Sequence, residues 1–435
     1  MKELLRFLLL CGAAALASSP AAAEQWIVRT DFWGVPAYYT LTIDRDGDEI
    51  SGDIDGQAVS GNADERTIAF RYERGRGQFA EYSGTIDGQR MSGMAIYPDG
   101  NDRRRRTEHD FRAWLVPERA TDEAQQHVYE PTNFAPTYDA DRHPVLVVWP
   151  GDSVTTKTID SGGVDENGKT RALFGNPQTG PFFIAGAEAG DTLVIHLRRV
   201  DTNRDYADSL DAIVRRARDR SIEREASDLG RRVRWTIDKE RGVVRPEAAD
   251  GALADFAVPL RPMLGGLAVA PGFGSPALNT GETGRFGGNM DFPEVTQGNT
   301  VYLGVQRPGA LLYMGDGHAA QGQGETSQYG LETSLSVTFS VDLIKGQSIA
   351  APRVESPDEI MTLGQSGTME DALRGATSAM TDLLRREYGY TLSQTAQIMG
   401  SALEIDVVNL AGRNVGVAAK IDKDLLVEPL GMLSR

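Results

Sequence analysis

The sequence contains a single cysteine, Cys11, among its 435 residues. This cysteine lies in the N-terminal stretch MKELLRFLLLCGAAALASSPAAA, which has a basic start, a short apolar run and an Ala-x-Ala end. That layout is typical of a cleavable secretory signal, so we expect residues 1–23 to be removed and the mature protein to be periplasmic or secreted. A mature chain without cysteine has no disulfide and no thiolate metal ligand. It also lacks the cysteine nucleophile that nitrilase-type amide hydrolysis requires.

Other absences narrow the expected partners. After the N-terminal stretch, no apolar run is long enough to form a membrane-spanning helix, so membrane insertion is not expected. The formal net charge is −17, which should repel nucleic acid and anionic lipid. With only five histidines, a metal site would have to combine histidine with carboxylate, asparagine or backbone oxygen ligands.

Residues 24–117 are predicted to form a small all-β accessory domain. The segment SGDIDGQAVSG at 51–61 recurs as SGTIDGQRMSG at 83–93, and each copy has Asp-Gly at its centre between alternating segments. Asp-Gly in that position favours a tight β-hairpin turn. The pattern predicts a meander of six to eight strands that forms a small barrel or sandwich.

Residues 118–435 are predicted to form a second, mainly β domain of the α+β class. Alternating Val, Ile, Leu and Thr, interrupted by Gly- and Pro-containing turns, indicate strands through most of it. The highly charged segment 208–235 is interpreted as an exposed helical excursion. Near the C-terminus, two helices and closing strands are predicted. The first helix begins near SPDE at 356–359 and has apolar residues at Leu373, Met380, Leu383 and Leu384, and the second begins at Ser393.

The segment GVDENGKT at 163–170 matches the phosphate-binding loop pattern letter for letter. That loop requires a buried strand before it and a helix after it. The preceding TKTIDSG is polar, and the following RALFGNPQTGP cannot continue as a helix through Pro177. We therefore interpret the segment as an ordinary loop.

The stretch MGDGHAAQGQGE at 314–325 is the strongest candidate for a functional site. It places Asp316, His318 and Glu325 within ten residues, after an apolar strand and among small residues that allow tight turns. Carboxylates elsewhere stand at turns, and Asp152 and Asp191 are interpreted as turn residues.

A larger set of segments resembles the acetamidase/formamidase family. NPQTGPFFIAGAEAGDTLVIHL, PMLGGLAVAP, GGNMDFPEV, VQRPGALLYMGDGHAAQGQGE and DVVNL occur in the family's order. The resemblance extends over about residues 125–430. It implies a β-sandwich core with an inserted α+β part and a tendency to form homo-oligomers. It also implies metal-dependent hydrolysis of small amides to carboxylate and ammonia.

The resemblance also implies a set of site residues. By position, the family signature matches Asp316, His318, Gln321 and Glu325, and flanking acidic motifs match Asp160, Asp291 and Glu332. Our hypothesis is that Asp316 and His318 bind a divalent metal, with zinc expected and calcium as a further structural ion. The remaining expected metal ligands are Asp160, Asp291 and Glu332. Glu325 would act as general base beside Gln321, and backbone N–H groups at 315–317 or 287–289 would stabilise the oxyanion.

One position departs from the family pattern. The family usually reads GDGHAAQGDGE, with aspartate where this chain has Gln323. If that aspartate were a ligand or base, its loss would alter activity. Two alternatives to a small-amide hydrolase therefore stay open. They are a hydrolase of another amide or lactam, and a non-catalytic envelope protein that binds a ligand on the same scaffold.

Overall fold

The computed structural model describes residues 23–102, 104–247, 251–272 and 274–430. The expected signal segment lies outside these residues, except for its last position. The chain forms two compact units, one of residues up to 33 with 39–116 and the other of 34–38 with 117–435. None of the helices in the described part of the chain combines the length and apolar character needed to cross a bilayer.

The first unit is a closed barrel of eight antiparallel strands in sequential order, with the first strand paired to the last. The strands are β1 Glu24–Phe32, β2 Val35–Asp46, β3 Glu49–Ile54, β4 Gln57–Ala63, β5 Thr67–Glu73, β6 Phe79–Asp87, β7 Arg90–Pro98 and β8 Arg106–Leu115. Alternate residues of each strand point inward, and their side chains fill the interior. The predicted small β domain is therefore an up-and-down barrel.

The internal repeat encodes two hairpins of this barrel, but its copies pair in different registers. Asp55 and Gly56 form the two-residue turn in the first copy, whereas in the second Asp87 pairs with Arg90 and the turn begins at Gly88. The first copy forms the β3–β4 hairpin, where Asp55 and Gly56 have φ values of 48° and 78°. Two consecutive positive φ values are those of the type I′ turn that Asp-Gly favours. The second copy forms the β6–β7 hairpin, in which Gly84 pairs with Gly93. A Cβ at Gly93 would lie 2.2 Å from the Ser83 carbonyl oxygen, so glycine permits this close strand contact.

Hydrogen-bonded hydroxyl groups lie inside the barrel. The Tyr97 hydroxyl lies 2.5 Å from the Tyr82 hydroxyl and 3.1 Å from the Tyr72 hydroxyl. The Tyr82 hydroxyl also lies 2.9 Å from Thr30 Oγ1. Burial raises the pKa of Tyr72 and of Tyr82, so the hydroxyls stay neutral and exchange hydrogen bonds.

The second unit contains the remaining strands and the α-helices. Its strands are β9 Gln126–Val128, β10 Thr137–Tyr138, β11 Leu146–Val148, β12 Ser153–Lys157, β13 Gln178–Ile184, β14 Thr192–Thr202, β15 Tyr206–Leu210, β16 Arg232–Asp238, β17 Val243–Pro246, β18 Val258–Pro259, β19 Met263–Val269, β20 Leu278–Asn279, β21 Thr283–Gly284, β22 Gly287–Asn289, β23 Thr300–Gly304, β24 Leu312–His318, β25 Leu335–Ile344, β26 Arg353–Glu355, β27 Glu359–Ser366, β28 Glu404–Asn409 and β29 Val415–Asp422. The α-helices are α1 Arg220–Glu225, α2 Met369–Glu387 and α3 Leu392–Ala402, and short 3₁₀ turns occur at Arg215–Ala217, Ala226–Asp228, Gly251–Leu253 and Lys423–Leu425.

Two large sheets form the core of the second unit. The six-stranded sheet has the order β11-β13-β24-β19-β22-β21, and the nine-stranded sheet has the order β28-β29-β27-β26-β23-β14-β25-β12-β9. The sheets contact each other through Phe182 on β13 and Phe339 on β25, whose ring centroids are 5.3 Å apart. Every residue of β13, β19 and β24 in the six-stranded sheet is buried, so both faces of this sheet, the inner sheet, are covered. This arrangement agrees with the predicted mainly β sandwich.

The helical excursion predicted at 208–235 is wrong at both ends. Its first residues belong to β15 and its last residues to β16, which pair antiparallel in a four-stranded sheet with β17 and β18. Charge explains the error, because Asp208 on β15 forms cross-strand ion pairs with Arg232 and Arg234 on β16. Only the middle of the segment is helical. There the α1 cap Asp219 accepts hydrogen bonds from the N–H groups of the first turn.

The C-terminal helices form with shifted boundaries. The SPDE segment precedes β27 rather than a helix, and Thr368 caps α2. Helix α2 packs on β27 and β29, but the predicted contact Leu373 is 38% exposed. Ala372 takes the inward position, against Gly364 of β27. Helix α3 begins with a capping box between Thr391 and Gln394. The final predicted strand, LLVEPL, is irregular after a 3₁₀ turn.

Candidate metal and catalytic site

The site is built on the last residues of β24, in the inner sheet. Because side chains alternate along a strand, Asp316 and His318 point to the same face. Both are buried, at 2% and 0% exposure. Room for them comes from Gly265 on the neighbouring strand β19. A Cβ there would lie 2.6 Å from Asp291 Oδ1 and 2.8 Å from Asp316 Oδ2.

Loops bring three more carboxylates to His318. Asp291 follows β22, and Glu325 and Glu332 lie in the segment between β24 and β25. Glu332 forms a β-bridge with His318, which fixes its backbone beside the strand end. Among the described residues, two groups could hold a metal ion: Asp291, His318 and Glu325, and Asp316, His318 and Glu332. In each group the possible ligand atoms lie within 4.8 Å of one another.

Three asparagine side chains hold one oxygen of each aspartate. Asn289 Nδ2 and Asn409 Nδ2 donate to Asp291 Oδ2 at 2.6 Å and 2.5 Å. Asn176 Nδ2 donates to Asp316 Oδ2 at 3.0 Å and to Asn289 Oδ1 at 2.7 Å. These amides orient both carboxylates through a single oxygen atom each.

Six other polar atoms of the cluster have no hydrogen-bond partner. They are Asp291 Oδ1, Asp316 Oδ1, Glu332 Oε2, Gln321 Oε1 and both ring nitrogens of His318. The closest approaches of His318 Nε2 are 3.2 Å to Glu332 Oε1 and 3.6 Å to Asp316 Oδ1. Buried polar atoms are nearly always satisfied, so this concentration indicates a site prepared for a ligand. One histidine with several carboxylates is a donor set that fits a divalent transition metal.

The electrostatics of the cluster lead to the same conclusion. Burial, reinforced by Asp316 and opposed by His318, raises the pKa of Glu332 to about 7. Burial and the nearby Asp316 carboxylate raise the pKa of Asp291 well above the usual range, and burial and Asp291 do the same to the pKa of Glu325. Burial favours neutral His318, but the Glu332 and Asp316 carboxylates together outweigh it and raise the histidine pKa. Burial and mutual proximity therefore favour protonated carboxyl groups in the cluster. A bound cation would stabilise their charged forms instead.

The backbone at the site is strained. Asp291, Asp316, Glu325 and Asn176 have φ values of 47°, 55°, 47° and 58°. Residues other than glycine rarely adopt this left-handed conformation, and it costs about 1–3 kcal/mol at each position. Such strain persists where the surrounding structure fixes it, which is common at functional sites.

Comparison with known proteins identifies the scaffold. Residues 273–412 match the model described as Acetamidase/Formamidase family. A Schizosaccharomyces pombe protein named "putative formamidase" is 42% identical over 60 residues, a match that spans 14% of this chain and 15% of the relative. Crystal structures of an acetamidase from Yersinia enterocolitica and of a predicted acetamidase/formamidase from Thermoanaerobacter tengcongensis superpose with TM-scores of 0.60. Their sequence identities are 24% and 22%, over 71% and 70% of this chain and 95% and 97% of the matched chains.

The chain has the acetamidase/formamidase fold. The resemblance predicted from the sequence is thereby confirmed. The matched structures are covered almost completely, whereas more than a quarter of this chain remains unmatched. The matched family segment contains Asp291, Asp316, His318, Glu325 and Glu332, which form the buried cluster.

Most of the predicted site residues meet on this acetamidase/formamidase scaffold, but Asp160 does not. Asp160 Oδ2 accepts a 2.6 Å hydrogen bond from Arg204, and Asp160 Oδ1 accepts one from the Val164 N–H. The Arg204 side chain is buried, so it neutralises Asp160 as a structural ion pair. Asp160 is therefore not in either group of possible metal ligands. The backbone N–H of Asn289, one of the expected oxyanion donors, already donates a hydrogen bond to Glu282 O and is not free to bind an oxyanion.

The sequence interpretation did not identify Asn176 and Asn409 as site residues. Asn176 stands immediately before Pro177, and Asn409 lies in the DVVNL segment that contributed to the resemblance. Both are far in sequence from Asp291 and Asp316, and only folding shows which carboxylate each one contacts. The Asn-Pro dipeptide was the one local signal at Asn176, since asparagine tolerates the left-handed conformation that the structure shows there.

The turn residues have structural roles. Asp152 is buried and accepts hydrogen bonds from Arg119 and from the Gln125 and Trp149 N–H groups. Asp191 accepts from Lys345 Nζ at 2.6 Å. In the segment that matches the phosphate-binding loop, Asp165 Oδ1 accepts from nearby backbone N–H groups in a compact turn, and no helix follows.

Gln323, the departure from the family pattern, lies outside the cluster. Its side chain is exposed, and its Nε2 donates to Asp406 Oδ2 at 3.2 Å. Aspartate at 323 would face the like charge of Asp406, whereas glutamine makes a hydrogen bond. The substitution therefore leaves the buried donor set intact.

A cleft of about 380 Å³ adjoins the cluster. Gln321, Glu325 and Gly330 belong to its lining. Gln321 Nε2 donates to Asp291 O at 2.6 Å, and the Gly330 N–H donates to Glu325 Oε1 at 3.1 Å. The cleft gives a small molecule access to the catalytic candidates on the acetamidase/formamidase scaffold.

Proposed function

We propose that this protein is an exported, metal-dependent hydrolase of carboxamide C–N bonds that releases a carboxylate and ammonia. The observation that carries the proposal is the buried cluster beside the cleft, in which oriented carboxylates and His318 keep unpartnered atoms. The acetamidase/formamidase fold and the family match support the amide as substrate. The N-terminal signal pattern supports export.

Asp316, His318 and Glu332 would hold the metal, and Asp291, His318 and Glu325 form the alternative group. Zinc fits best, because both groups contain a histidine and a catalytic zinc typically has three protein ligands. Calcium prefers oxygen ligands alone. When bound, the ion would lower the pKa of water and polarise the substrate carbonyl.

Glu325 is suited to the proton transfer. It lines the cleft, its pKa is raised by burial and by Asp291, and the Gly330 N–H orients one of its oxygens. It would take a proton from water as the C–O bond forms. It would return that proton to the nitrogen as the C–N bond breaks, because the nitrogen leaves readily only when protonated. Gln321 would position the substrate, since its Oε1 is buried and unpartnered and can accept an amide N–H.

Ammonia release is the direct test. The purified mature protein is assayed with formamide, acetamide and propionamide, then again after chelation and after zinc is restored. We expect release that chelation stops and zinc restores. No release from a folded, zinc-loaded protein would contradict the proposal and favour a ligand-binding role. Light scattering tests the homo-oligomer that the family resemblance implies.

A further inference from the structure

We infer that the cleft selects neutral amides with a bulky apolar acyl group, preferably one that ends in an aromatic ring. This inference rests on the proposed amidase function and concerns its substrate class. It follows from the size, lining and charge of the cleft.

The cleft is larger than the smallest amides require. Its volume is about 380 Å³, within the range of roughly 300–1,000 Å³ that holds larger organic ligands. Formamide and acetamide are only a few times larger than a water molecule, which occupies about 30 Å³ in the liquid. With their reacting group at Glu325, such substrates would leave most of the cleft filled by water.

Aromatic and aliphatic side chains form the walls of the cleft. The lining includes Trp235, Phe256, Tyr329 and Leu331. Trp235 Nε1 donates to Ser209 Oγ at 2.9 Å, so the polar edge of the indole is occupied by the protein. The Trp235 and Phe256 rings meet edge-on, with centroids 6.2 Å apart and an interplanar angle of 64°. A substrate ring can extend this edge-to-face arrangement.

The charges around the cleft disfavour a negatively charged substrate. Arg261 lines the cleft, but its Nη2 is 2.6 Å from Glu294 Oε2, which offsets its charge. Glu325 belongs to the cleft lining, and a carboxylate oxygen of Asp291 lies within 4.8 Å of one of its oxygens. Both carboxylates would repel a substrate that carried its own carboxylate. A neutral acyl group avoids this repulsion.

The four-stranded sheet of β15 to β18 provides one wall of the cleft. It packs against the segment between β24 and β25, which contains Glu325. Trp235 lies on β16 and Val258 on β18, and both pack against a cluster that includes Ala319, Ala320 and Leu331. The charged segment 208–235 thus ends in a side chain that borders the substrate cleft. Its position makes Trp235 a specificity residue rather than a catalytic one.

Competition between substrates tests the inference. With zinc-loaded protein, kcat/KM is measured for acetamide, hexanamide and phenylacetamide. We expect phenylacetamide to exceed acetamide by about 10–100-fold, since one apolar group in a pocket discriminates by factors of this size. Trp235→Ala and Phe256→Ala should each reduce that ratio by about 10-fold. Trp149→Ala, which removes another half-buried tryptophan from the same unit, should leave the ratio unchanged.

The outcomes separate the two proposals. Ammonia from none of the amides would contradict the amidase function itself. Ammonia from acetamide with an equal or lower kcat/KM for phenylacetamide would overturn the inferred substrate class and leave the amidase function standing. A high ratio that neither cleft variant changes would overturn the role of the aromatic wall. Circular dichroism shows whether each variant is folded, and Trp235→Phe provides a milder change if the alanine variant is not.

Discussion

The barrel interior and the acid–histidine cluster both bury polar side chains, but they treat them differently. In the described barrel, no buried side-chain nitrogen or oxygen lacks a partner, and Tyr72, Tyr82 and Tyr97 satisfy one another. In the cluster, Asp316 and His318 retain atoms without partners. A fully hydrogen-bonded network stabilises the fold. Buried polar atoms without partners lower the stability of the fold, and a ligand that pairs with them recovers that free energy on binding. The contrast distinguishes a structural interior from a binding site without reference to any relative.

The largest expected effect concerns catalysis. Glu325→Gln should lower kcat by about 10²–10⁴-fold, because glutamine cannot transfer the proton. The measurement is steady-state ammonia release at matched zinc content. Gln323→Asp is the control, since this exposed position lies outside the cluster and should change kcat by no more than about 2-fold. Full turnover in Glu325→Gln would remove this residue from the base role.

Metal should stabilise one unit and not the other. At zinc concentrations of 100 to 1,000 times Kd, the second unit should gain about 2.7–4.1 kcal/mol against unfolding. Hydrogen exchange on the whole mature chain can report β24 and the barrel strand β6 separately. We expect added zinc to slow exchange in β24 only. Equal slowing in β24 and β6 would mean that zinc binds to the barrel as well as to the acid–histidine cluster, which would contradict the contrast between the two interiors.

The metal-free protein should lose stability as pH rises. Because the folded pKa of Glu332 is about 7, above the ordinary glutamate value of 4.5, its contribution is fully present below pH 4.5 and is lost as pH rises to 7. The loss is about 3 kcal/mol on the linkage relation of roughly 1.4 kcal/mol per pKa unit.

Urea unfolding across this pH range measures the loss. Glu332→Gln should flatten the dependence, and zinc should abolish it in the parent protein. A metal-free parent whose stability does not change from pH 4.5 to 7 would contradict the raised pKa of Glu332, which burial and the Asp316 carboxylate cause. The barrel tyrosines should contribute nothing here, since burial raises their pKa values above this range.

Loss of an orienting amide should weaken metal binding. Asn409→Leu removes one of the two donors to Asp291 Oδ2. Groups that orient metal ligands typically change metal affinity by about 10–100-fold, and we expect a decrease of that size. Competition with a chromogenic zinc chelator measures it. An unchanged Kd would mean that Asp291, which belongs only to the alternative ligand group, does not contribute to metal binding through this contact.

The smallest expected effect lies in the barrel. Tyr72→Phe removes one hydroxyl from a satisfied network, which should cost about 1 kcal/mol of unfolding free energy. Urea unfolding followed by barrel-specific hydrogen exchange gives the value. The zinc affinity of the same variant serves as the control and should match the parent. A stabilised barrel would indicate that its hydroxyls are not satisfied as the structure shows.

Local patterns predicted the parts of the molecule that depend on neighbouring residues. The repeated Asp-Gly segments predicted two of the barrel hairpins, because the backbone φ preference of Asp-Gly or of Gly alone favours a tight turn, although only Asp55-Gly56 forms the turn as a pair. The sequence placed Asp316 and His318 after an apolar strand, whereas in the structure β24 continues through both residues. The segment 208–235 misled the interpretation, since its charges pair across two strands that the sequence separates by more than twenty residues.

The sequence by itself determined a small all-β first domain, the mainly β class, the resemblance and the residue types of the candidate site, whereas the closure of the first domain into a barrel is a finding of the structure. The tertiary structure decided which acids gather at His318. Asp160 pairs with Arg204, while Asp291 and Glu332 arrive from separate loops. The physical reason is that partner choice among buried charges depends on distances between segments remote in sequence, and only a completed fold fixes them. The same holds for Asn176 and Asn409, whose amides leave one oxygen of each aspartate free for a ligand.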